Sequence, residues 1–204
     1  ISHFSPPSTI SEAYRSLRTN LLFSQGGDHR VILVSSATVK EGKSTIAANL
    51  AVVVAQQGAR VLLIDGDMRK PMQHHTFGLK RAPGLSECLL GQMSWQDAIK
   101  RFSDVMLGDM GIDQALFTPG LDQLDILSCG RASANPPDLL SDPAIDRILA
   151  EVREEYDMVI IDMPPLLHTT DAIIVASKVD GILLVYHIGS VVRGALKRVK
   201  SNIE

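Results

Sequence analysis

Residues 31–45, VILVSSATVKEGKST, constrain this chain more than any other stretch. A mostly β-branched apolar run, Val31 to Ser35, passes into a flexible segment ending in Gly42, Lys43, Ser44 and Thr45, and a helical pattern begins at once. A turn of this kind points its backbone N–H groups inward while the following helix aims its positive end at the same spot, so an anion settles there. Lys43 can reach the β- and γ-phosphates of a nucleoside triphosphate, and the Ser44 hydroxyl can complete the shell of a Mg²⁺ ion. Gly42 lets the backbone approach closely. The general pattern is G-x-x-x-x-G-K-[ST], and Ala37 stands at its first position here.

Two further strand ends carry carboxylates. ARVLLID closes on Asp65, with Asp67 and Arg69 next in the string DGDMRKP, and DMVIIDMPP closes on Asp162. Acidic residues where parallel strands end lie on the edge at which open α/β sheets bind their ligands. Beside a triphosphate they would repel it unless a metal ion stood between, and Asp162 is placed to hold a Mg²⁺-bound water opposite Ser44. Pro164 and Pro165 remove two backbone donors and stop that strand.

Strands and helices alternate through the rest. STIAANLAVVVAQQ reads as a helix ending at Gly58, GLSECLLGQ and SWQDAI as short helices, and LDILSCG as the third strand after a long loop over 101–120. NPPDLLSDPAIDRILAEVREEY gives a turn and an amphipathic helix. TTDAIIVASKV reads as a helix, DGILLVYHI as the fifth strand, and SVVRGALKRVKSNIE as the closing helix. The rhythm predicts an α/β fold, a three-layer P-loop NTPase with a mostly parallel central sheet and helices on both faces. A leader and N-terminal helix over 1–29 would precede a nucleotide-binding core over 30–204, all in one domain.

In that N-terminal segment Thr9 and Glu12 have capping-box spacing, and a helix from about 10 to 24 places Ile10, Tyr14, Leu17, Leu21 and Leu22 at helical spacing. Glu12, Arg15 and Arg18 occupy another arc, which by itself reads as a solvated stripe. His74 and His75 are adjacent, so their side chains should point apart, and no metal site is expected there. A net charge of -3 gives no electrostatic case for nucleic acid. Cys88 and Cys129 lie far apart without metal-ligand or disulfide spacing, which favours a reducing compartment. No apolar run approaches the length of a membrane span. The start at Ile1 and the end at Glu204, within a basic helical pattern, suggest a piece of a longer protein.

Taken together, SEAYRSLRTNLLFS, the EGKST loop, LLIDGDMRKP followed by FGL, GLSECLLG, NPPDLLSDP and YDMVIIDMPPLLHTTDA resemble the cytoplasmic catalytic domain of bacterial tyrosine kinases of capsular and exopolysaccharide export systems. The likeness spans almost the whole chain. It implies an ATP- and Mg²⁺-dependent autokinase in which Asp65, Asp67 and Arg69 match the family's D-x-D-x-R motif and Asp162 its Walker B aspartate. Glu12, Arg15 and Arg18 match an E-x-x-R-x-x-R motif used for ring-like self-association. The implied nucleotide contacts are Lys40, Glu41, Gly42, Lys43, Ser44, Thr45 and Arg69. Metal contacts fall to Ser44, Asp67 and Asp162, with Asp65 nearer the tyrosine proton and Asp67 nearer the metal. The implied partners are other copies of the chain, a transmembrane polysaccharide co-polymerase segment on the same or a separate chain, and a cognate tyrosine phosphatase, at the cytoplasmic side of the inner membrane.

Val39 and Lys40 depart from the Pro-Gly pair often found in such loops, so a less tightly shaped loop is expected. Tyr14, Tyr156 and Tyr186 are scattered and read as packing residues rather than a phosphorylated tail. Positioning ATPases of the MinD or ParA kind share the fold but carry an extra lysine where Thr38 stands. An ATP-gated scaffold for polysaccharide chain-length control is the third class. At the loop itself, the phosphate acceptor stays open between a tyrosine and a water.

Overall fold

The computed structural model describes residues 9–22, 29–101, 120–189 and 193–203. Six strands form one sheet: β1 (Val31–Ser36), β2 (Val61–Asp65), β3 (Lys100–Arg101), β4 (Leu124–Leu127), β5 (Met158–Asp162) and β6 (Gly181–Val185). Their order across the sheet is β3-β4-β2-β5-β1-β6. All neighbours are parallel except β3, which runs antiparallel to β4 with Lys100 opposite Ile126. This two-residue edge strand was not foreseen, because two basic residues carry neither an apolar run nor an alternation to read. The loop expected over 101–120 falls almost wholly outside the described residues.

Strands covered on both faces need apolar side chains on both, and the sequence supplies them in alternation. Val31, Leu33, Leu62, Ile64, Val159 and Ile161 turn to one face, and Ile32, Val34, Val61, Leu63, Met158 and Ile160 to the other. The second face is covered by α2 (Lys43–Ala55), buried from Ala47 to Ala55 because it is apolar almost all round. Outside α2 lies α1 (Thr9–Leu22), whose Leu17 and Leu21 pack toward the same core. Thr9 is itself helical, and the Glu12 carboxylate accepts from Arg15 one turn on. Ile10, the first of the apolar positions at helical spacing, is 61% exposed.

Next come α3 (Gln73–Thr76), which follows the end of β2, and α4 (Leu85–Leu89) and α5 (Trp95–Ala98), short helices as expected. The proline-rich stretch expected to be a turn contains a helix of its own, α6 (Pro136–Ser141), because prolines are accepted in a helix's first turn. α7 (Pro143–Glu155) starts at Asp142, whose side chain accepts from Ala144 N at 2.7 Å. A cap of this kind contributes about 1 kcal/mol. Ile145, Ile148, Leu149 and Val152 bury its apolar stripe on the first face, together with α8 (Asp171–Ala176) and α9 (Arg193–Ile203) through Ala172, Val175 and Val199. No helix among the described residues is long and apolar enough to cross a membrane.

This topology brings three strand ends together. β5 lies between β1 and β2, with Val34 and Asp65 both in register with Asp162. The loop after β1 and both aspartate-bearing ends therefore share one stretch of the carboxyl edge.

Candidate active site

The loop between β1 and α2 is shaped by two left-handed residues. Gly42 has φ 88, natural for glycine, and Lys40 has φ 64, which a side-chain-bearing residue adopts at a cost of about 1–2 kcal/mol. Lys40 stands where the resemblance puts glycine, so the turn keeps a glycine-like backbone without the residue. Glu41 is buried, and its Oε2 accepts the Thr38 N–H at 2.7 Å, closing the loop from within. Lys40 and Glu41 line the cavity, yet this carboxylate is spent on the loop's own backbone.

Lys43 is the hub. Its ammonium lies 2.9 Å from Asp67 Oδ2, 3.3 Å from Asp162 Oδ1 and 3.2 Å from Ser44 Oγ. Burial pulls its pKa down, but the Asp162 and Asp67 charges outweigh burial and leave it raised. Asp162 is fully buried; burial raises its pKa, against the opposing pull of Lys43, Ser44 and Gln73. Asp67 Oδ1 accepts the backbone N–H groups of Arg69 and Lys70 at 3.2 and 2.9 Å, which fixes the carboxylate at the start of its loop.

Asp65 faces another way. Its Oδ2 accepts the N–H groups of Met72 and Gln73 at 3.0 and 2.9 Å, at the start of α3, and it does not line the cavity. Burial first, then the Asp162 charge, pushes its carboxyl up to about 7. Arg69 lines the cavity but is committed to Asp171, with Nε and Nη2 donating at 2.9 and 3.0 Å to a carboxylate of zero exposure.

The cavity in front of these groups has a volume of about 480 Å³. Residues 39–45 form one side, Asp67, Arg69, Lys70 and Met72 a second, and Pro164, Pro165, His168 and Thr169 a third. A larger depression of about 650 Å³ beside β3, lined by Lys80, Lys100 and Arg101 among others, shares no residue with it and gathers none of the candidate groups. The hydroxyl of Ser44 and the carboxylates of Asp67 and Asp162 are hard oxygen donors already converging on one cation, the Lys43 ammonium. That donor set fits Mg²⁺.

Two residues of the site have roles that the sequence does not show. Gln73, in the four-residue α3, donates its amide to Asp162 Oδ2 at 2.7 Å. Asp171, in the first turn of α8, holds Arg69; its place at a helix start was visible but its partner was not. The rings of His74 and His75 do not diverge as expected: their centroids are 4.0 Å apart, in a single helical turn flanked by non-helical Met72 and Phe77. Of the expected oligomer residues, Glu12 and Arg15 form an exposed pair within α1, while Arg18 reaches back to Val53 O at 3.4 Å. Tyr156 is buried and donates to Asp125 at 2.7 Å, but Tyr186, read as a packing residue, is 51% exposed beyond β6.

A family model described as an AAA domain matches residues 29–192. The tyrosine-protein kinase YwqD of Bacillus subtilis is 40% identical over 185 residues, 90% of this chain and 71% of the relative. The crystal structure of the chimerical protein CapA2B2 superposes with a TM-score of 0.85 at 34% identity, over 100% of this chain and 82% of that one. The kinase domain of Escherichia coli tyrosine kinase ETK gives 0.84 at 29% identity, over 98% of this chain and 74% of that one. With its fold, its loop and its two aspartate-bearing strand ends in place, this chain belongs to the AAA-domain P-loop proteins and, among them, to the bacterial tyrosine-protein kinase family.

Proposed function

We propose that the chain transfers the γ-phosphoryl group of Mg²⁺-bound ATP to tyrosine hydroxyls of a neighbouring copy, in a system that polymerises and exports polysaccharide at the cytoplasmic side of the inner membrane. The observation that carries this is the convergence of Ser44, Asp67 and Asp162 on Lys43 within 3.3 Å beside a strand-end cavity that Lys43, Ser44 and Asp67 line. Lys43 and the N–H groups of residues 40–45 bind the phosphates. Ser44 and Asp162 are the residues that would hold Mg²⁺, with Asp67 at their side; when bound, the ion neutralises charge building on the transferred and leaving oxygens.

A tyrosine hydroxyl has a pKa near 10, so a base must take its proton as the new O–P bond forms and the bond to ADP breaks. The resemblance puts Asp65 nearest that proton and Asp67 nearest the metal. The cavity lining favours Asp67 over Asp65 for the proton. Asp67 lines the cavity and is freed when Lys43 turns to phosphate, whereas Asp65 lies behind it, holding the start of α3. Lys40, Glu41, Gly42 and Thr45 shape the loop, and Arg69 forms the wall.

Glu12, Arg15 and Arg18 contribute to contacts between copies, since opposed charges fix register and orientation even where they add little affinity. A membrane-embedded co-polymerase segment and a cognate tyrosine phosphatase complete the proposed partners. The test is phosphotyrosine mass spectrometry after incubation with Mg²⁺ and ATP, using Lys43→Met as the control. Phosphate on tyrosine in the unmutated protein alone is the expected result; none in either protein overturns the kinase reading.

A further inference from the structure

Gln73 is fully buried, yet it belongs to none of the motifs around it. Its Nε2 donates to Asp162 Oδ2 at 2.7 Å and to Ser44 O at 3.1 Å, and its backbone N–H donates to Asp65 Oδ2 at 2.9 Å. One residue thus joins the first turn of α2, the end of β5 and the end of β2. The amide can sit only one way round, because both side-chain neighbours are acceptors and the flipped group would set oxygen against oxygen. Its Oε1 is buried without a hydrogen-bond partner among the described residues. A buried unpaired acceptor is unfavourable, and a methionine of similar size would not carry one. The presence of glutamine is therefore explained by its donor end.

That donor end divides the two oxygens of Asp162. Oδ2 is tied back to Gln73, and Oδ1 is left facing Lys43 at 3.3 Å, on the cation side of the carboxylate. A neutral donor orients the group without cancelling its charge, as an arginine or lysine there would. We propose that Gln73 is a positioning residue that presents Asp162 Oδ1 and the Ser44 turn to the divalent cation accompanying the nucleotide. This rests on the nucleotide-binding reading above. It adds that cation affinity, rather than nucleotide affinity, depends on Gln73, because the amide touches the cation's ligands and not the cavity.

The experiment titrates the fluorescent analogue mant-ATP onto the unmutated protein and Gln73→Met, in EDTA and across a Mg²⁺ series, with thermal melting of both. In EDTA the two affinities are expected to agree within about twofold. The Mg²⁺ concentration giving half of the binding enhancement should rise about tenfold or more in the variant, the usual effect of removing a group that orients a metal ligand. Equal Mg²⁺ midpoints in two folded proteins overturn the role of Gln73 alone. Absence of mant-ATP binding, or of Mg²⁺ enhancement, in the unmutated protein overturns the nucleotide reading beneath it. If Gln73→Met does not melt cooperatively, Gln73→Asn, which keeps the amide but shortens its reach by one methylene, takes its place with the same outcomes. Failure of both variants to fold overturns the inference, because Gln73 would then be holding up the fold.

Discussion

Replacing Asp65 by asparagine removes a charge from a fully buried carboxylate of the site while keeping an oxygen to accept the Met72 and Gln73 N–H bonds. In the folded protein this carboxyl, ordinarily near 3.8, is pushed up to about 7 by burial and by Asp162. The folded state therefore holds the proton more tightly than the unfolded chain. Stability from this group is fully present below about pH 3.8 and is lost as pH rises toward 7. At about 1.36 kcal/mol for each tenfold change in proton affinity, the interval sets a ceiling of about 4 kcal/mol. Asp65→Asn is thus expected to be the more stable protein above pH 7, by ~1–4 kcal/mol, with the advantage shrinking steadily toward pH 4. Urea unfolding of both proteins in EDTA, followed by circular dichroism from pH 4.5 to about 8.5, measures this difference. A difference that stays flat across that range, or that falls as pH rises, refutes the reasoning.

Lys40→Gly should stabilise the protein by ~0.5–1 kcal/mol, because relief of the left-handed strain exceeds the extra freedom glycine gives the unfolded chain; an unchanged urea midpoint would count against strain at φ 64. Gly84→Ala should destabilise by about 3 kcal/mol, since the added carbon would sit 2.0 Å from Ser128 O and 2.5 Å from Gly130 N, both rigid backbone atoms. A melting temperature within a degree or so of the unmutated protein's would contradict that packing. Arg15→Ala combined with Arg18→Ala should move a concentration-dependent assembly toward monomer in light scattering. A melt run alongside registers the loss of the Arg18 bond to Val53 O, and unchanged scattering argues against contacts through α1.

The parts of this molecule that could be read from the sequence are those where the chain's own order sets the geometry. A buried parallel strand is a continuous apolar run, and Asp65 and Asp162 announce its end, so the sheet edge and its carboxylates were legible. The Gly42–Thr45 junction was legible because an apolar strand, a short loop ending in glycine and a helical pattern follow one another in order. Gln73 was not, since its role comes from the β2–β5 register, which sets Asp65 opposite Asp162 so that one residue, eight positions after Asp65, bonds to both. The Arg69 partner was not legible either, because the fully buried Asp171 lies 102 positions away in sequence. β3 pairs for only two residues, and α6 begins with two prolines that look like a break when read without a helix to follow.

A single guanidinium spans two walls of the cavity. One end of the Arg69–Asp171 fork is planted on the loop after β2 and the other on the first turn of α8. Spreading those walls would strand a carboxylate of zero exposure, an unfavourable change even though the 44% exposed Arg69 end regains water. The pair therefore resists parting the loop after β2 from the first turn of α8. What it leaves open to solvent is apolar: Val39 and Met72, on two sides of the cavity, stand 48% and 46% exposed.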